Sequence, residues 1–156
     1  MAKQTRGIRN NNPGNIRKGC TWIGLAKEQK DKSFCQFITM NYGLRALVVT
    51  LRTYVLKHKK TTVSLIINRW APESDGNNTT AYVKQCALAI GNVLAPSSGD
   101  KDCEQAGLNY QFDRKDFVLT NGYPSTPLFA LVKAICKVES QYELSYSDFI
   151  QVVRLL

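Results

Sequence analysis

Carboxylates are the side chains of this 156-residue sequence best placed to do chemistry. Glu139 follows an apolar stripe at residues 128–138, which places it at the end of a helix that should be buried. Burial would raise the pKa of its carboxyl and keep it protonated, as a general acid in glycoside cleavage requires. The alternative is an exposed acid at a helix end, and the pattern alone favours that alternative because glutamate is seldom buried.

The sequence has few residues suited to other kinds of catalytic site. His58 is the only histidine and lies in a basic run at residues 57–60, so a packed Cys–His pair is not expected. The sequence has no C-x-x-C unit, no metal-ligand spacing of His, Cys and carboxylates, and no glycine-rich phosphate loop. We therefore expect neither a metal nor a cofactor.

The cysteines are widely spaced, at Cys20, Cys35, Cys86, Cys103 and Cys136. Their odd number argues against a full disulfide framework, and the plain interpretation is reduced, mostly buried thiols made in a cytoplasm. Cys35 and Cys86 lie beside apolar or aromatic residues, which predicts packing roles for both.

The charge is strongly positive, with 21 Lys and Arg against 12 Asp and Glu, a formal net charge of +9. Such an excess predicts a polyanionic partner, because long-range attraction concentrates a basic protein on a negative polymer. Nucleic acid and bacterial cell wall both qualify, and a basic solvated surface is the third interpretation. No nucleic-acid-binding motif is present, so a nucleic acid partner is not expected.

The length allows one real hydrophobic core and is too short for two ordinary domains. We predict a single domain over residues 1–156, with a flexible tail at residues 1–5. No apolar signal segment follows the charged N-terminus, and no stretch of about eighteen apolar residues occurs. We therefore predict no membrane span, and a substrate outside the cytoplasm would require another component for delivery.

Helical patterns dominate after an irregular N-terminal third, which predicts a mainly α fold. Residues 5–41 are rich in Asn, Gly and Lys, which predicts loops and a small hairpin at residues 34–38. Residues 95–109 predict a long loop. The predicted helices run from Gly43 to residues 57–60, from a Thr62 cap to Ala71, from Thr79 to Ile90 with Gly91 ending it, from a Ser125 or Thr126 cap to Glu139, and from a Ser147 cap to Leu156.

Several aromatic residues could provide flat apolar faces for stacking on sugar rings, although most are expected in the core. They are Trp22, Tyr42, Trp70, Tyr82, Tyr110, Tyr123 and Tyr146. Tyr54 and Tyr82 lie on helical stripes and are predicted to be core residues.

Four segments resemble the motifs of a phage lysozyme-like protein family. The first is residues 6–17 (R-G-I-R-N-N-N-P-G-N-I-R), and the second combines residues 22–25 with Phe34, Phe37 and residues 43–47 (G-L-R-A-L). The third is residues 66–72 (I-I-N-R-W-A-P) with Thr79 and Tyr82, and the fourth is residues 134–139 (A-I-C-K-V-E). The first segment is also similar, more faintly, to the groove motif of bacterial glucosaminidases.

The resemblance implies a cell-wall-degrading enzyme of lysozyme or lytic-transglycosylase fold, encoded by a bacteriophage or prophage. Members of the family include virion structural proteins and lysis proteins, and are similar to the lytic proteins of cystoviruses. The amide groups of the asparagines in the first segment could bind the N-acetyl groups of the substrate. An equally good interpretation is that these side chains close Asx-turns and have a structural role. The candidate substrate-binding residues are Asn12, Asn15, Trp22, Tyr42, Arg45, Trp70 and Ser140.

Two departures from the family pattern bear on the catalytic residues. Ser140 follows Glu139 where the family has asparagine, and Glu-Ser is the pair that lytic transglycosylases show at their catalytic acid. The loop after Pro72 carries one extra residue, so either Glu73 or Asp75 is the candidate second carboxylate. A hydrolase needs that second group, whereas a transglycosylase can act with Glu139 alone.

The expected function is cleavage of peptidoglycan glycan strands by a muramidase or lytic transglycosylase. Peptidoglycan is the expected partner, together with other virion proteins if the enzyme is carried in the virion. The protein would be made in the host bacterial cytoplasm and act at the wall as an endolysin, or as part of the virion. The alternative is a non-catalytic virion or wall-binding protein that keeps the fold, which the altered acidic loop favours. A nucleic-acid-binding domain comes third, on charge alone.

Overall fold

The computed structural model describes residues 3–156, and within them the chain is mainly α-helical, as predicted. The helices are α1 (Arg6–Arg9), α2 (Met40–Leu56), α3 (Val63–Trp70), α4 (Thr79–Leu94), α5 (Asp100–Asn109), α6 (Thr126–Ser140) and α7 (Tyr146–Arg154). Short 3-10 turns cover Glu73–Asp75 and Arg114–Phe117. Met1 and Ala2, part of the expected tail, lie outside the described residues.

Hydroxyl caps decide where most of the helices begin. Thr62 and Ser125 accept hydrogen bonds from backbone N–H groups in the first turns of α3 and α6, which confirms both predicted caps. Thr39 caps α2, which begins at Met40, three residues before the predicted start near Gly43. The last helix begins two residues earlier than predicted, because Ser145 rather than Ser147 accepts the capping bond.

The prediction of a long loop at residues 95–109 is wrong, since α5 occupies most of it. This helix is polar and buries only Cys103 and Gly107, so it has no apolar stripe from which to predict it. Gly91 lies inside α4 rather than ending it. A Cβ atom at Gly91 would lie 1.7 Å from the carbonyl oxygen of Cys103, and one at Gly107 would lie 1.9 Å from that of Ala87. The two glycines therefore allow α4 and α5 to pack backbone against backbone.

The core lies among α2, α3, α4, α6 and α7, and the predicted apolar stripes supply most of it. Its largest fully buried side chains include Leu47, Leu51, Ile66, Ile90, Leu131, Ile135 and Phe149. One expectation for α6 is wrong: Val138 does not line the stripe but is 37% exposed. In α4, Tyr82 and Ile90 are buried as expected, while Val83 is half-buried.

The N-terminal third is irregular, as predicted, but residues 34–38 do not form a hairpin with each other. Phe34 instead makes an antiparallel bridge to Arg17, and Phe37 makes one to Leu25. Thr5, expected in the flexible tail, is instead held in place: its side chain caps α1 and donates a hydrogen bond to the carbonyl oxygen of Ser140, 2.6 Å away.

Four of the cysteine side chains are buried free thiols, at Cys35, Cys86, Cys103 and Cys136, whereas Cys20 is exposed. This confirms the prediction that most of the thiols are buried. Within residues 3–156, no helix has the length and apolar character needed to cross a membrane.

Candidate active site

A cleft of about 400 Å³ lies between the N-terminal third and the helical part of the molecule. It is lined by Gly14, Asn15, Ile16, Arg17, Cys20, Trp22, Phe34, Thr50, Tyr54, Trp70, Ala71, Asp75, Asn77 and Glu139. The lining residues come from the N-terminal loops, α2, the ends of α3 and α6, and the turn after α3. The cleft therefore gathers segments that are distant in sequence.

Glu139 reaches this cleft from the last turn of α6. The helix ends at the next residue, because Gln141 adopts a left-handed conformation with φ of 55°. The Glu139 side chain is half-buried, and its Oε2 accepts a hydrogen bond from the phenolic oxygen of Tyr82 at 3.0 Å. The same phenolic oxygen accepts a hydrogen bond from the indole Nε1 of Trp70 at 3.1 Å. A chain of two hydrogen bonds thus orients the carboxyl group.

Neutral groups surround the buried side of the Glu139 carboxyl. Burial, and after it the negative charge of Glu139, raises the pKa of the Tyr82 phenol far above its usual range, so the phenol remains a hydrogen-bond donor. The same two causes raise the pKa of the Cys86 thiol to about 12 and also raise that of Cys136. Within residues 3–156, no basic side chain lies within 4 Å of the Glu139 carboxylate. A carboxyl group that is held in place but not paired with a cation suits a general acid.

Residues of the asparagine-rich segment 6–17 form hydrogen bonds with the end of α6. Asn15 donates from Nδ2 to the carbonyl oxygen of Glu139 at 3.0 Å, and Ser140 donates from Oγ to the carbonyl oxygen of Pro13 at 2.8 Å. With the bond from Thr5 to Ser140, these contacts form a unit that we call the N-terminal clamp (Thr5, Pro13 and Asn15). The clamp fixes the last turn of α6, and with it Glu139.

Two predicted substrate-binding residues are structural instead. Asn12 is fully buried, and its side chain bonds to Ile16 and to the carbonyl oxygen of Cys35, which closes the turn in the way that the Asx-turn alternative describes. Ser140 is buried, and its hydroxyl bonds to Pro13. Neither residue lines the cleft.

Two further candidates lie away from the cleft, although their helix α2 contributes to it. Tyr42 packs against Gly24, where an added Cβ atom would lie 2.1 Å from the tyrosine ring. Arg45 donates from Nε to the carbonyl oxygen of Leu155 at 3.1 Å and so faces α7. Both are near the start of α2, whereas the cleft contacts its later turns at Thr50 and Tyr54.

The remaining binding candidates, Asn15, Trp22 and Trp70, line the cleft. Asn15 Oδ1 and Trp22 Nε1 are buried and have no hydrogen-bond partner within residues 3–156. Buried polar atoms are usually paired, so these two atoms, one acceptor and one donor, are exceptions within the protein.

Of the two candidates for the second carboxylate, the structure brings only Asp75 into the cleft with Glu139. Glu73 lines a different cavity of about 260 Å³, together with Lys84 and Glu104. The two acids lie on one 3-10 turn, where residues two positions apart point in different directions. Asp75 is exposed, whereas Glu139 is half-buried, so the two carboxyl groups have different surroundings.

Two tyrosines that line or support the cleft have the sequence pattern of core residues. Helical spacing predicts Tyr54 and Tyr82 as core residues; Tyr82 is buried as predicted and also bonds to Glu139, whereas Tyr54 is half-buried and lines the cleft. The one signal for Tyr82 in the sequence is its place in a segment that resembles a motif of the phage lysozyme-like family. Within residues 3–156, no group of three or more His, Cys, Asp or Glu side chains is arranged to hold a metal ion.

No known protein-family model matches the chain. Over 90 residues the chain is 40% identical to Protein P5 of Pseudoalteromonas phage PM2. That stretch covers 55% of this chain and 56% of the phage protein, so the chain spans just over half the length of this relative. The sequence is therefore similar, over part of its length, to a bacteriophage protein.

Proposed function

We propose that this chain cleaves the glycan strands of bacterial peptidoglycan, with Glu139 as the general acid. The observation that carries the proposal is the placement of Glu139: half-buried, bonded to Tyr82, and facing a cleft that also holds Asp75. Two carboxyl groups in unlike surroundings on one cleft are what glycoside cleavage needs, because one must donate a proton while the other remains ionised. A lysozyme-like or lytic-transglycosylase fold is part of this proposal.

The cleft also offers groups that suit an N-acetylated sugar. The Asn15 Oδ1 acceptor and the Trp22 Nε1 donor lack protein partners within residues 3–156. An acetamido group carries one N–H donor and one carbonyl acceptor, which is the complementary pair. Trp22, Tyr54 and Trp70 add aromatic surface to the lining, on which the apolar face of a pyranose ring can stack.

In the proposed reaction, the Glu139 carboxyl donates its proton to the glycosidic oxygen as the bond from that oxygen to the sugar carbon breaks. In a hydrolase, Asp75 then assists, either as nucleophile or as the base that takes a proton from the attacking water. In a transglycosylase, a hydroxyl of the same sugar attacks instead and returns its proton to Glu139. Carboxyl separations of about 5–5.5 Å favour the nucleophile and about 6.5–9.5 Å favour the base.

The test is Glu139→Gln, which keeps the shape of the side chain and removes the transferable proton. Fragment release from purified peptidoglycan should fall by about 10²–10⁴, the usual loss when general acid catalysis is removed. Glu143→Gln is the matched control, because Glu143 is exposed, pairs with Lys137 and lies outside the cleft. A folded Glu139→Gln protein with wild-type activity would exclude Glu139 as the acid.

The second candidate is a non-catalytic virion or wall-binding protein, and one observation favours it. Asp75 is exposed, and its carboxylate has no hydrogen-bond partner within residues 3–156, so the protein does not fix its orientation. The similarity to a bacteriophage protein fits either candidate. A wild-type protein that binds wall and releases no fragment, detected by mass spectrometry, would favour this second function.

A further inference from the structure

Two arginines stack on aromatic rings that belong to the lining of the cleft. The guanidinium carbon of Arg69 lies 5.0 Å from the ring centre of Tyr54, and that of Arg17 lies 4.9 Å from the ring centre of Phe34. Arg17 and Phe34 come from the N-terminal third, whereas Tyr54 and Arg69 come from α2 and α3. Arg17 itself lines the cleft, whereas Arg69 lies at its edge, over the ring of the lining residue Tyr54.

Neither guanidinium is neutralised by the protein. Within residues 3–156, no carboxylate lies within 4 Å of Arg17 or Arg69. Arg6 provides a comparison, because its guanidinium also lies over Phe34, at 4.6 Å, but binds Asp31 through two hydrogen bonds. The charge of Arg6 is used to hold the fold together, while those of Arg17 and Arg69 are available to a ligand.

More positive charge surrounds Arg69. Burial lowers the pKa of His58, and the positive charges of Arg69, Lys57 and Lys60 lower it further. The basic run that follows α2 therefore adds its positive charge to that of Arg69. An acidic group bound there would meet several positive charges at once.

We propose that Arg17 and Arg69 bind acidic groups carried by the polymer in the cleft, so that the substrate is an acid-bearing glycan strand rather than a neutral one. This inference rests on the proposed function and names its substrate class. A guanidinium without a carboxylate partner keeps N–H donors with which it can bind a carboxylate or phosphate through two hydrogen bonds. The wall has both kinds of acid, in its stem peptides and its phosphate polymers.

The test measures binding separately from cleavage, by sedimentation of the full chain with insoluble material. The materials are purified wall, wall with amidated carboxyls, wall stripped of phosphate polymers, and chitin as a neutral N-acetylated glycan. The variant pair Arg17→Gln with Arg69→Gln is compared with Arg114→Gln and Arg154→Gln, two exposed arginines outside the cleft. Both pairs of substitutions change the net charge equally. Any difference in wall binding between the two double variants is therefore due to where the arginines lie.

Binding to purified wall should weaken roughly tenfold for each cleft arginine lost, the effect of one charge-assisted hydrogen bond. The control pair should lose much less, and the cleft pair should bind chitin as the wild type does. If the two variant pairs bind amidated wall equally, the acidic groups that the arginines bind are peptide carboxylates. If they bind phosphate-stripped wall equally, those groups are phosphates. Equal weakening by the two pairs, or a difference that survives both treatments, would overturn the inference. Arginine-dependent binding without fragment release would instead reject the proposed cleavage and leave this inference standing.

Discussion

The phenolic oxygen of Tyr82 in α4 lies 3.0 Å from Oε2 of Glu139 in α6, and this bond joins the two helices at the cleft. The phenol itself is not among the cleft-lining groups, so it acts on Glu139 rather than on a bound molecule. Its donor role is secure because burial and the nearby carboxylate raise its pKa far above the range of neutral pH.

Tyr82→Phe should therefore lower kcat about tenfold with little change in KM, because the carboxyl loses its orientation while the substrate contacts remain. The variant should also lose about 1 kcal/mol of unfolding free energy, since the Trp70 indole N–H loses its acceptor. Steady-state kinetics and thermal melting measure the two effects. Tyr123→Phe, at a tyrosine that is 64% exposed, is the control. An unchanged kcat would show that Tyr82 does not position Glu139.

The two acids of the 3-10 turn should respond differently to substitution. Asp75→Asn should reduce fragment release by at least about tenfold if the enzyme is a hydrolase, because Asp75 shares the cleft with Glu139. Glu73→Gln should have little effect, since Glu73 lines another cavity. A modest loss at both positions would indicate a transglycosylase, and a large loss at Glu73 alone would contradict the assignment of Asp75.

Gly91→Ala should destabilise the protein, although alanine is the better helix former. Helix propensity favours the change by about 1 kcal/mol. Against this, the new Cβ atom would lie 1.7 Å from the carbonyl oxygen of Cys103, so α5 would have to move away. Because that backbone cannot rotate aside, we expect a net loss of about 1–3 kcal/mol in urea unfolding. Gly99→Ala, where an added Cβ atom meets nothing within 4 Å, should change the unfolding free energy far less.

Asp31→Asn should lower the melting temperature at neutral pH, with a smaller effect in acid. The carboxylate accepts two hydrogen bonds from Arg6, one from Asn10, and two from the backbone N–H groups of Ser33 and Phe34. These bonds, led by those from Arg6, hold the pKa of Asp31 far below its usual range. A lowered pKa gives stability that is present above the unfolded-state value of about 3.9 and is lost as the pH falls below it.

The difference in melting temperature between wild type and Asp31→Asn should therefore be constant from pH 7 to about pH 5 and shrink below about pH 4. Glu28→Gln is the control, because the Glu28 side chain is 77% exposed and its pairing with Lys30 contributes little. A difference that grows as the pH falls would contradict this account of Asp31.

The five cysteines should divide into one reactive thiol and four protected ones. Cys20 is exposed on the cleft, so a thiol reagent should modify it in the native protein within minutes. The other four are buried, and the pKa of Cys86 is raised to about 12, which leaves almost no thiolate at neutral pH. Mass spectrometry of the labelled protein should show one modification before unfolding and five after it.

The sequence predicted the parts of the fold that depend on local patterns. The Thr62 and Ser125 caps and the mainly α class were predicted correctly, because a capping hydroxyl and a helical apolar period are properties of neighbouring residues. Helix α5 was missed because its burial depends on close contact with Gly91 of α4, and a contact between two helices leaves no periodic signal within either one.

The candidate site was only partly predictable for the same reason. Glu139, Asn15 and Trp70 were identified from motifs, and the structure places them at one cleft. Sequence could not separate Glu73 from Asp75, since their difference arises from the direction of each side chain on a 3-10 turn. Nor could it show that the conspicuous Asn12 is a buried structural residue, because amide groups suit ligands and turns equally.

The N-terminal clamp also bears on when the cleft can form. Its hydrogen bonds join residues that lie 124, 127 and 135 positions apart in the chain. Contacts so distant in sequence must wait for a large loop to close, whereas helical turns can form as soon as their residues are available. On the ribosome, the N-terminal third therefore emerges long before its partner in α6, and the cleft is assembled among the last parts of the molecule. A chain interrupted before α6 would carry most of its helices but not the complete cleft.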